Sequence, residues 1–210
     1  GTGLVADTAG HGLDQKPDMV ICKARASAGA NYVHVNHVSL TAADYNVFLN
    51  LNSAESDVNS NYGEGGVGLG SSTVIDFITG YTGSSDVDNS NKSGVDYIAY
   101  CFHAVEGFSA FGSFAGNGGD QFVYTGFRPA FVLWKRTNSS GWNIADNTRD
   151  PDNEVSAVLH PNSSAAESTA SQDILFVSNG FVEAGYANDS GTTIIYAAFA
   201  EVPFKYANAR

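Results

Sequence analysis

The chain has 210 residues, a formal net charge of −12 and 43% apolar residues, while charged residues make up only 15%. Such acidity disfavours nucleic acid and anionic bilayers as partners. No apolar stretch approaches the roughly 18 residues that a membrane-spanning helix needs.

Polarity rests instead on Asn, Ser, Thr and 23 glycines, a composition suited to many short turns between strands. There is no charged segment followed by an apolar one at the start, so no signal peptide is read. The opening Gly1 predicts a processed chain or part of a longer one.

Taken in order, the apolar runs are short, rich in β-branched and aromatic residues, and bounded by Gly, Asn, Asp, Ser or Pro. That pattern predicts strands. Five fall at 19–23, 32–38, 47–51, 74–78 and 97–104. Five more follow at 122–125, 131–135, 142–145, 174–177 and 192–200. In the run 97–104, alternation sets Ile98, Tyr100 and Phe102 on one face and Tyr97, Ala99, Cys101 and His103 on the other. Bulk on both faces predicts a central strand under cover. No long segment has a 3.6-residue period; residues 42–45 and 165–170 each have room for one helical turn.

The runs also repeat. Pro17 and Pro129 each precede a run closed by Lys, Met19-Val20-Ile21-Cys22-Lys23 and Phe131-Val132-Leu133-Trp134-Lys135, at an offset of 112. Asn52-Ser53-Ala54-Glu55 and Ser164-Ala165-Ala166-Glu167 recur at the same offset. Phe77-Ile78-Thr79-Gly80-Tyr81 resembles Phe176-Val177-Ser178-Asn179-Gly180-Phe181. Ser93-Gly94 and Ser190-Gly191 lead into Tyr97-Ile98-Ala99-Tyr100-Cys101-Phe102 and Ile194-Ile195-Tyr196-Ala197-Ala198-Phe199, at an offset of 97.

Four matched blocks in one order predict an all-β fold of two tandem antiparallel β-sandwich repeats, jelly-roll or lectin-like, at 1–112 and 113–210. A single merged sandwich is the alternative. The glycine-rich segment 109–119 reads as the loop between the repeats, with its Phe residues packed down. The glycine-rich segment 61–72 takes up part of the first copy's excess length.

Several phrases carry a family resemblance. They are Gly116-Asn117-Gly118, Phe122-Val123-Tyr124-Thr125-Gly126-Phe127-Arg128-Pro129, Val132-Leu133-Trp134-Lys135-Arg136 and Trp142-Asn143-Ile144-Ala145-Asp146-Asn147-Thr148-Arg149-Asp150. Ser178-Asn179-Gly180-Phe181 and the closing phrase from Ala198 to Arg210 join them. Together they resemble a repeat domain of structural and tail-associated proteins of marine tailed phages. The likeness covers nearly the whole second copy and, more loosely, the first. In the first copy, Gly12-Leu13-Asp14-Gln15-Lys16-Pro17 is two residues longer than Gly126-Phe127-Arg128-Pro129.

The resemblance implies a β-sandwich, lectin-like or SPRY-like in outline, located in the virion. The expected role is non-enzymatic: a tail-fibre, appendage or capsid-surface module, homo-oligomeric, in contact with other virion proteins and with the host surface. A carbohydrate-binding receptor-recognition module is the alternative, and a glycan hydrolase stands behind it.

The chemistry-bearing residues are sparse. Cys22 and Cys101 lie in apolar runs and read as small buried hydrophobes. His34 and His37, three apart, point to opposite faces of a regular strand, a poor chelating geometry. Asp86, Asp88 and Asn89 offer oxygens at calcium-loop spacing, but Asn91 and Tyr97 stand where an EF-hand needs Gly and Glu. A solvated Asx-rich loop and a looser calcium site are the two readings there, and no other cofactor is expected.

Trp134 sits in an apolar run and reads as core. Trp142 follows the turn Ser139-Ser140-Gly141, which makes it the candidate sugar-stacking aromatic of a glycan site. Lys23 and Lys135 end equivalent strands and Arg25 and Arg136 follow them, a repetition that predicts a structural ion pair, with Asp146 or the Arg149-Asp150 segment as partner. No nucleophile elbow or phosphate loop is present, and 22 acidic residues allow no unique catalytic pair, so no catalytic residue is assigned.

Overall fold

The computed structural model describes residues 5–25, 32–59, 65–78, 90–91, 95–169, 174–184 and 188–201. Among them every regular element is a strand, and every strand pairing is antiparallel. The chain divides into two compact units, Gly1–His103 and Ala104–Arg210.

The first unit holds β1 (Val5–Gly10), β2 (Met19–Ala24), β3 (His34–His37), β4 (Tyr45–Phe48), β5 (Ser56–Asp57), β6 (Gly66–Gly68), β7 (Val74–Ile78) and β8 (Tyr97–Phe102). One sheet runs β5-β4-β3-β2-β8 and the other β1-β7-β6. Strand alternation turns Val20 and Cys22 of the larger sheet toward Val67, Leu69 and Ile75 of the smaller side, and these five pack as one core with Phe77, Tyr97 and Cys101 at its margin. Apolar inner faces closed on each other make this unit a sandwich.

The second unit holds β9 (Ser109–Ala115), β10 (Gln121–Tyr124), β11 (Pro129–Arg136), β12 (Trp142–Asp146), β13 (Ile174–Val177), β14 (Gly180–Glu183) and β15 (Thr193–Ala200). Its sheets run β12-β11-β15-β9 and β10-β14-β13. Val132, Trp134, Ile194, Tyr196 and Ala198 of the first face Val123, Ile174, Phe176 and Phe181 of the second. At Gly180, which opens β14, an added Cβ would lie 2.1 Å from the Val123 carbonyl oxygen. Only glycine lets β10 come that close.

The two units share a pairing register. In the first, Met19, Val20, Ile21, Cys22, Lys23 and Ala24 face Phe102, Cys101, Tyr100, Ala99, Ile98 and Tyr97. In the second, Phe131, Val132, Leu133, Trp134, Lys135 and Arg136 face Phe199, Ala198, Ala197, Tyr196, Ile195 and Ile194. These are the same six pairs at the sequence offsets of 112 and 97. The Glu55 and Glu167 blocks also act alike, each holding the loop after an equivalent strand. Glu55 accepts from the Thr41 amide at 2.9 Å and hydroxyl at 2.7 Å, and Glu167 accepts from Arg149 at 2.7 Å.

Four expectations change. Segment 109–115 is not loop but the edge strand β9, in register with β15 from Ser109 to Ala115; Ala110 and Phe114 alternate inward onto the core, which glycine content alone conceals. Phe77 lies on the middle strand of its sheet and Phe176 on an outer one, so that pair of phrases is not equivalent; a strand ending in an aromatic and a glycine is a generic signal. Residues 42–45 form a single turn, with the Tyr45 amide donating to Ala42 at 3.1 Å, and the described residues of 165–170 form no helix. Finally, among the described residues β8 has a paired neighbour, β2, on one side only, so the cover expected of a central strand is not found there.

Candidate functional site

A cleft of about 680 Å³ opens in the first unit between the β3–β4 loop and the β6–β7 turn. That volume is in the range of small-molecule sites. The loop side is built by Asn36 of β3, whose buried amide donates to the carbonyls of Ala43 at 2.8 Å and Tyr45 at 3.0 Å. The imidazole of His37 accepts from the Ser39 amide at 3.1 Å. The Glu55 contacts with Thr41 fix the same loop from outside.

On the opposite side, Ser71 donates to Val74 at 2.8 Å to close the β6–β7 turn. Gly70 occupies a φ of +62°, and a Cβ there would lie 2.1 Å from the Val74 carbonyl oxygen. The turn therefore requires glycine.

Between these walls the lining separates by chemistry. Val38, Leu40, Leu69 and Ile78 supply apolar surface, while Lys16, Asp44, Asn59 and Asp76 supply charge and hydrogen-bonding capacity. Asn36 and His37 are already engaged with the scaffold, so they set shape. Two carboxylates, an amide and an ammonium around an apolar floor suit a hydroxyl-rich ligand. Carboxylates accept from hydroxyls, and the ammonium and amide donate to them.

The two walls are tied together beneath the cleft by Asn46 of β4. Its Oδ1 accepts from the Val67 amide at 3.0 Å, and its Nδ2 donates to the Val67 carbonyl at 2.9 Å. Oδ1 also lies 3.3 Å from Nδ1 of the fully buried His34. Burial pulls the His34 pKa down to about 4, against the smaller opposing effect of the Asn46 contact, so the ring is neutral at pH 7 and serves the scaffold.

The residues singled out in the sequence lie elsewhere. Trp142 is only 2% exposed, so its ring offers no open face to a sugar. Its carbonyl accepts from His160 and its amide donates to Asn162 at 2.8 Å, which fixes the start of β12 rather than a rim. Trp134 is core, at 1% exposed. Asp86, Asp88 and Asn89 lie outside the described residues. Among the described residues no three His, Cys, Asp or Glu side chains gather closely enough to hold a metal. Cys22 and Cys101 are free thiols; burial pushes Cys22 up to about 12, with Cys101 adding to the effect.

Of the residues expected in a structural ion pair, Arg136 pairs with Asp189, while Lys135 meets neither Asp146 nor Asp150. Asp146 is held by Arg149, at 2.8 Å from Nε and 2.7 Å from Nη2. The buried Lys135 ammonium donates instead to the carbonyl of Ser140, and to that of Asn138 at 3.5 Å. Three residues past β11 the chain turns back over the strand end, and its carbonyls reach the ammonium before any carboxylate does.

The cleft escaped the sequence because its polar residues come from four separated stretches, near 16, 44, 59 and 76. No local motif joins them, and only the sheet topology does. Fold and cleft together define a β-sandwich protein with a cleft of mixed polar and apolar lining in its first unit. A family model described as a domain of unknown function, DUF7483, matches residues 1–203. The chain belongs to that family, and the match spans both sandwich units. No curated protein and no solved structure matches the chain.

Proposed function

We propose that this chain is a non-enzymatic structural protein of a tailed-phage virion, a tail-fibre, appendage or capsid-surface module made of two copies of one sandwich. The observation that supports it most is the shared six-pair register of β2–β8 and β11–β15. One sheet plan built twice suits a spacer whose work is mechanical, with loops at the sandwich ends left for contact. The resemblance of the second copy to tail-associated repeats points the same way. Such proteins act in symmetric copies, so a homo-oligomer is part of the reading. Antibody raised against the purified chain is expected to label washed, intact particles. Label confined to infected-cell debris overturns the virion role.

A second reading, carbohydrate recognition, is favoured by the first-unit cleft, where Asp44 and Asp76 face apolar surface across about 680 Å³. On a glycan array the chain then binds a restricted set of saccharides, and Asp76→Ala loses them. Binding that survives Asp76→Ala and Asp44→Ala together rejects the cleft as the site.

A further inference from the structure

The first-unit cleft gathers hydrogen-bond acceptors that the protein leaves without donors. Gly68 and Asp76 are register partners on β6 and β7 and share a face. A Cβ on Gly68 would lie 3.4 Å from Asp76 Cβ, 3.6 Å from Ile78 Cδ1 and 3.9 Å from the Ala43 carbonyl oxygen. With no side chain at Gly68, this corner of the cleft is open space bounded by a carboxyl-bearing chain, an apolar chain and a backbone carbonyl.

The same Ala43 carbonyl accepts from Asn36 at 2.8 Å, which brings the Asn36 carboxamide to that corner. Asn36 lines the cleft and is only 1% exposed. Both hydrogens of its Nδ2 are committed, one to Ala43 and the other to Tyr45 at 3.0 Å. A flipped amide would set oxygen against those two carbonyls, so the orientation is fixed. Asn36 Oδ1 is left as a buried acceptor with no partner among the described residues, a group that a bound donor would satisfy.

The carboxylates of Asp44, next to Ala43, and of Asp76 also make no hydrogen bond or ion pair among the described residues. Among the lining residues Lys16 is the one Lys or Arg, and it is exposed. The first unit, residues 1–103, carries 11 Asp and Glu against 4 Lys and Arg. Ligand hydroxyls would supply donors yet leave the carboxylate charge uncompensated once water is displaced. An ammonium answers both demands, with three N–H donors, no acceptor and one positive charge. Val38, Leu40 and Leu69 add apolar surface that suits the C–H face of a sugar ring.

We propose that the cleft takes a saccharide bearing a protonated amine, its ammonium seated at Gly68 among Asp76, Asp44 and Asn36 Oδ1 and its ring against the apolar lining. The inference rests on the carbohydrate-recognition reading and names the sugar class, an amino sugar, that this reading left open. Charge complementarity supplies the selectivity, and the bare backbone at Gly68 supplies the room.

The test titrates three trisaccharides into the full 210-residue chain by calorimetry. Cellotriose, chitotriose and de-N-acetylated chitotriose share one backbone and differ in one substituent per ring: hydroxyl, acetamide or ammonium. Mildly acidic buffer keeps the amine charged, and physiological salt damps the general attraction of an acidic chain for cations. We expect the ammonium trisaccharide to bind about tenfold or more tightly than the other two. Asp76→Asn, which keeps the shape and removes the charge, should erase that preference. Gly68→Ala should weaken the ammonium sugar by filling its seat. Neither variant removes a hydrogen bond from the scaffold, and urea midpoints close to that of the unsubstituted chain check the fold.

Equal affinities, or tighter binding of a neutral trisaccharide, overturn the proposal; if Asp76→Ala still abolishes that binding, the carbohydrate reading survives it. Absence of any saccharide binding, here and on the glycan array, overturns both together. Ammonium-sugar binding that persists in Asp44→Asn with Asp76→Asn overturns the proposal by assigning it to the acidic surface at large. Cadaverine binding as tightly as the ammonium trisaccharide also overturns it, because the sugar then contributes nothing.

Discussion

Asn46 holds Val67 by both of its backbone groups, so a side-chain amide on β4 stands in for one more strand pair and ties the two sheets of the first unit together. The same Nδ2 donates to the Tyr45 carbonyl at 2.8 Å, which leaves the amide fully engaged in a buried site. Truncation strands the Val67 amide and carbonyl away from water, and each stranded group costs about 1–3 kcal/mol. Asn46→Ala is therefore expected to lower unfolding stability by roughly 2–4 kcal/mol in urea titration. A loss under about 1 kcal/mol would show that water replaces the amide.

Gly66 makes that link possible. A Cβ at Gly66 would sit 2.7 Å from Asn46 Oδ1 and 2.5 Å from Val58 Cγ2, closer than packed atoms tolerate. Gly66→Ala pushes on the same amide that Asn46→Ala removes. The two substitutions should be clearly less than additive in a double-mutant cycle, by about 0.5 kcal/mol or more. Strict additivity would place the Gly66 strain wholly on Val58.

His34 gives the first unit an acid limit. Its folded pKa is lowered to about 4 from 6.5, chiefly by burial. Between those values the unfolded chain binds the proton and the folded chain does not. Stability is then fully present above about pH 6.5 and falls as pH drops toward 4. A shift of that size amounts to about 3 kcal/mol. Urea midpoints for the unsubstituted chain should fall between pH 6.5 and 4.5, and His34→Phe should remove most of that slope. An unchanged slope in His34→Phe would assign the acid sensitivity to another group.

How much of this was legible depended on how local the cause was. The strands 74–78 and 174–177 could be read to the residue because β-branched and aromatic runs end there in turn residues. The two offsets did not by themselves give a strand pairing; they carry the register seen in one unit to the other, because both strands of the pair keep their alignment. β1 and β14 were missed because their sequences, Val-Ala-Asp-Thr-Ala-Gly and Gly-Phe-Val-Glu, lack a sustained apolar run; partners on the neighbouring strands hold them. Trp142 was misplaced for a related reason. The turn before it marks a strand start, and strand starts lie at rims as often as not, yet residues 160–162 return over this one and bond to it.

Lys135 should make the second unit gain stability in mild alkali. Burial, and then the charge of Arg136, lower its pKa to about 8 from 10.5. Between those values the unfolded chain holds the extra proton, so stability rises with pH through that window. Cys22, raised to about 12 from 9.0, works in the opposite sense above pH 9, so the comparison must be between two chains. The unsubstituted chain minus Lys135→Met is expected to gain roughly 3 kcal/mol from pH 8 to 10.5. A flat difference would mean that the Ser140 and Asn138 carbonyls keep the ammonium charged throughout.

Both tryptophans are interior, which separates a structural from a ligand-stacking role for Trp142 by fluorescence alone. Trp134 and Trp142 are 1% and 2% exposed. Emission from the folded chain should therefore be blue-shifted and poorly quenched by acrylamide. A saccharide bound in the first-unit cleft should leave that emission unchanged, because no tryptophan lines it. Trp142→Ala opens a cavity in the second unit and is expected to cost about 3–5 kcal/mol, while Asp76→Ala, at the cleft, should cost under about 1 kcal/mol. Glycan binding, where found, should follow Asp76 and not Trp142, with Trp142→Phe retaining it. A saccharide-dependent change in emission that Trp142→Phe abolishes would return Trp142 to the ligand site and require β12 to open on binding.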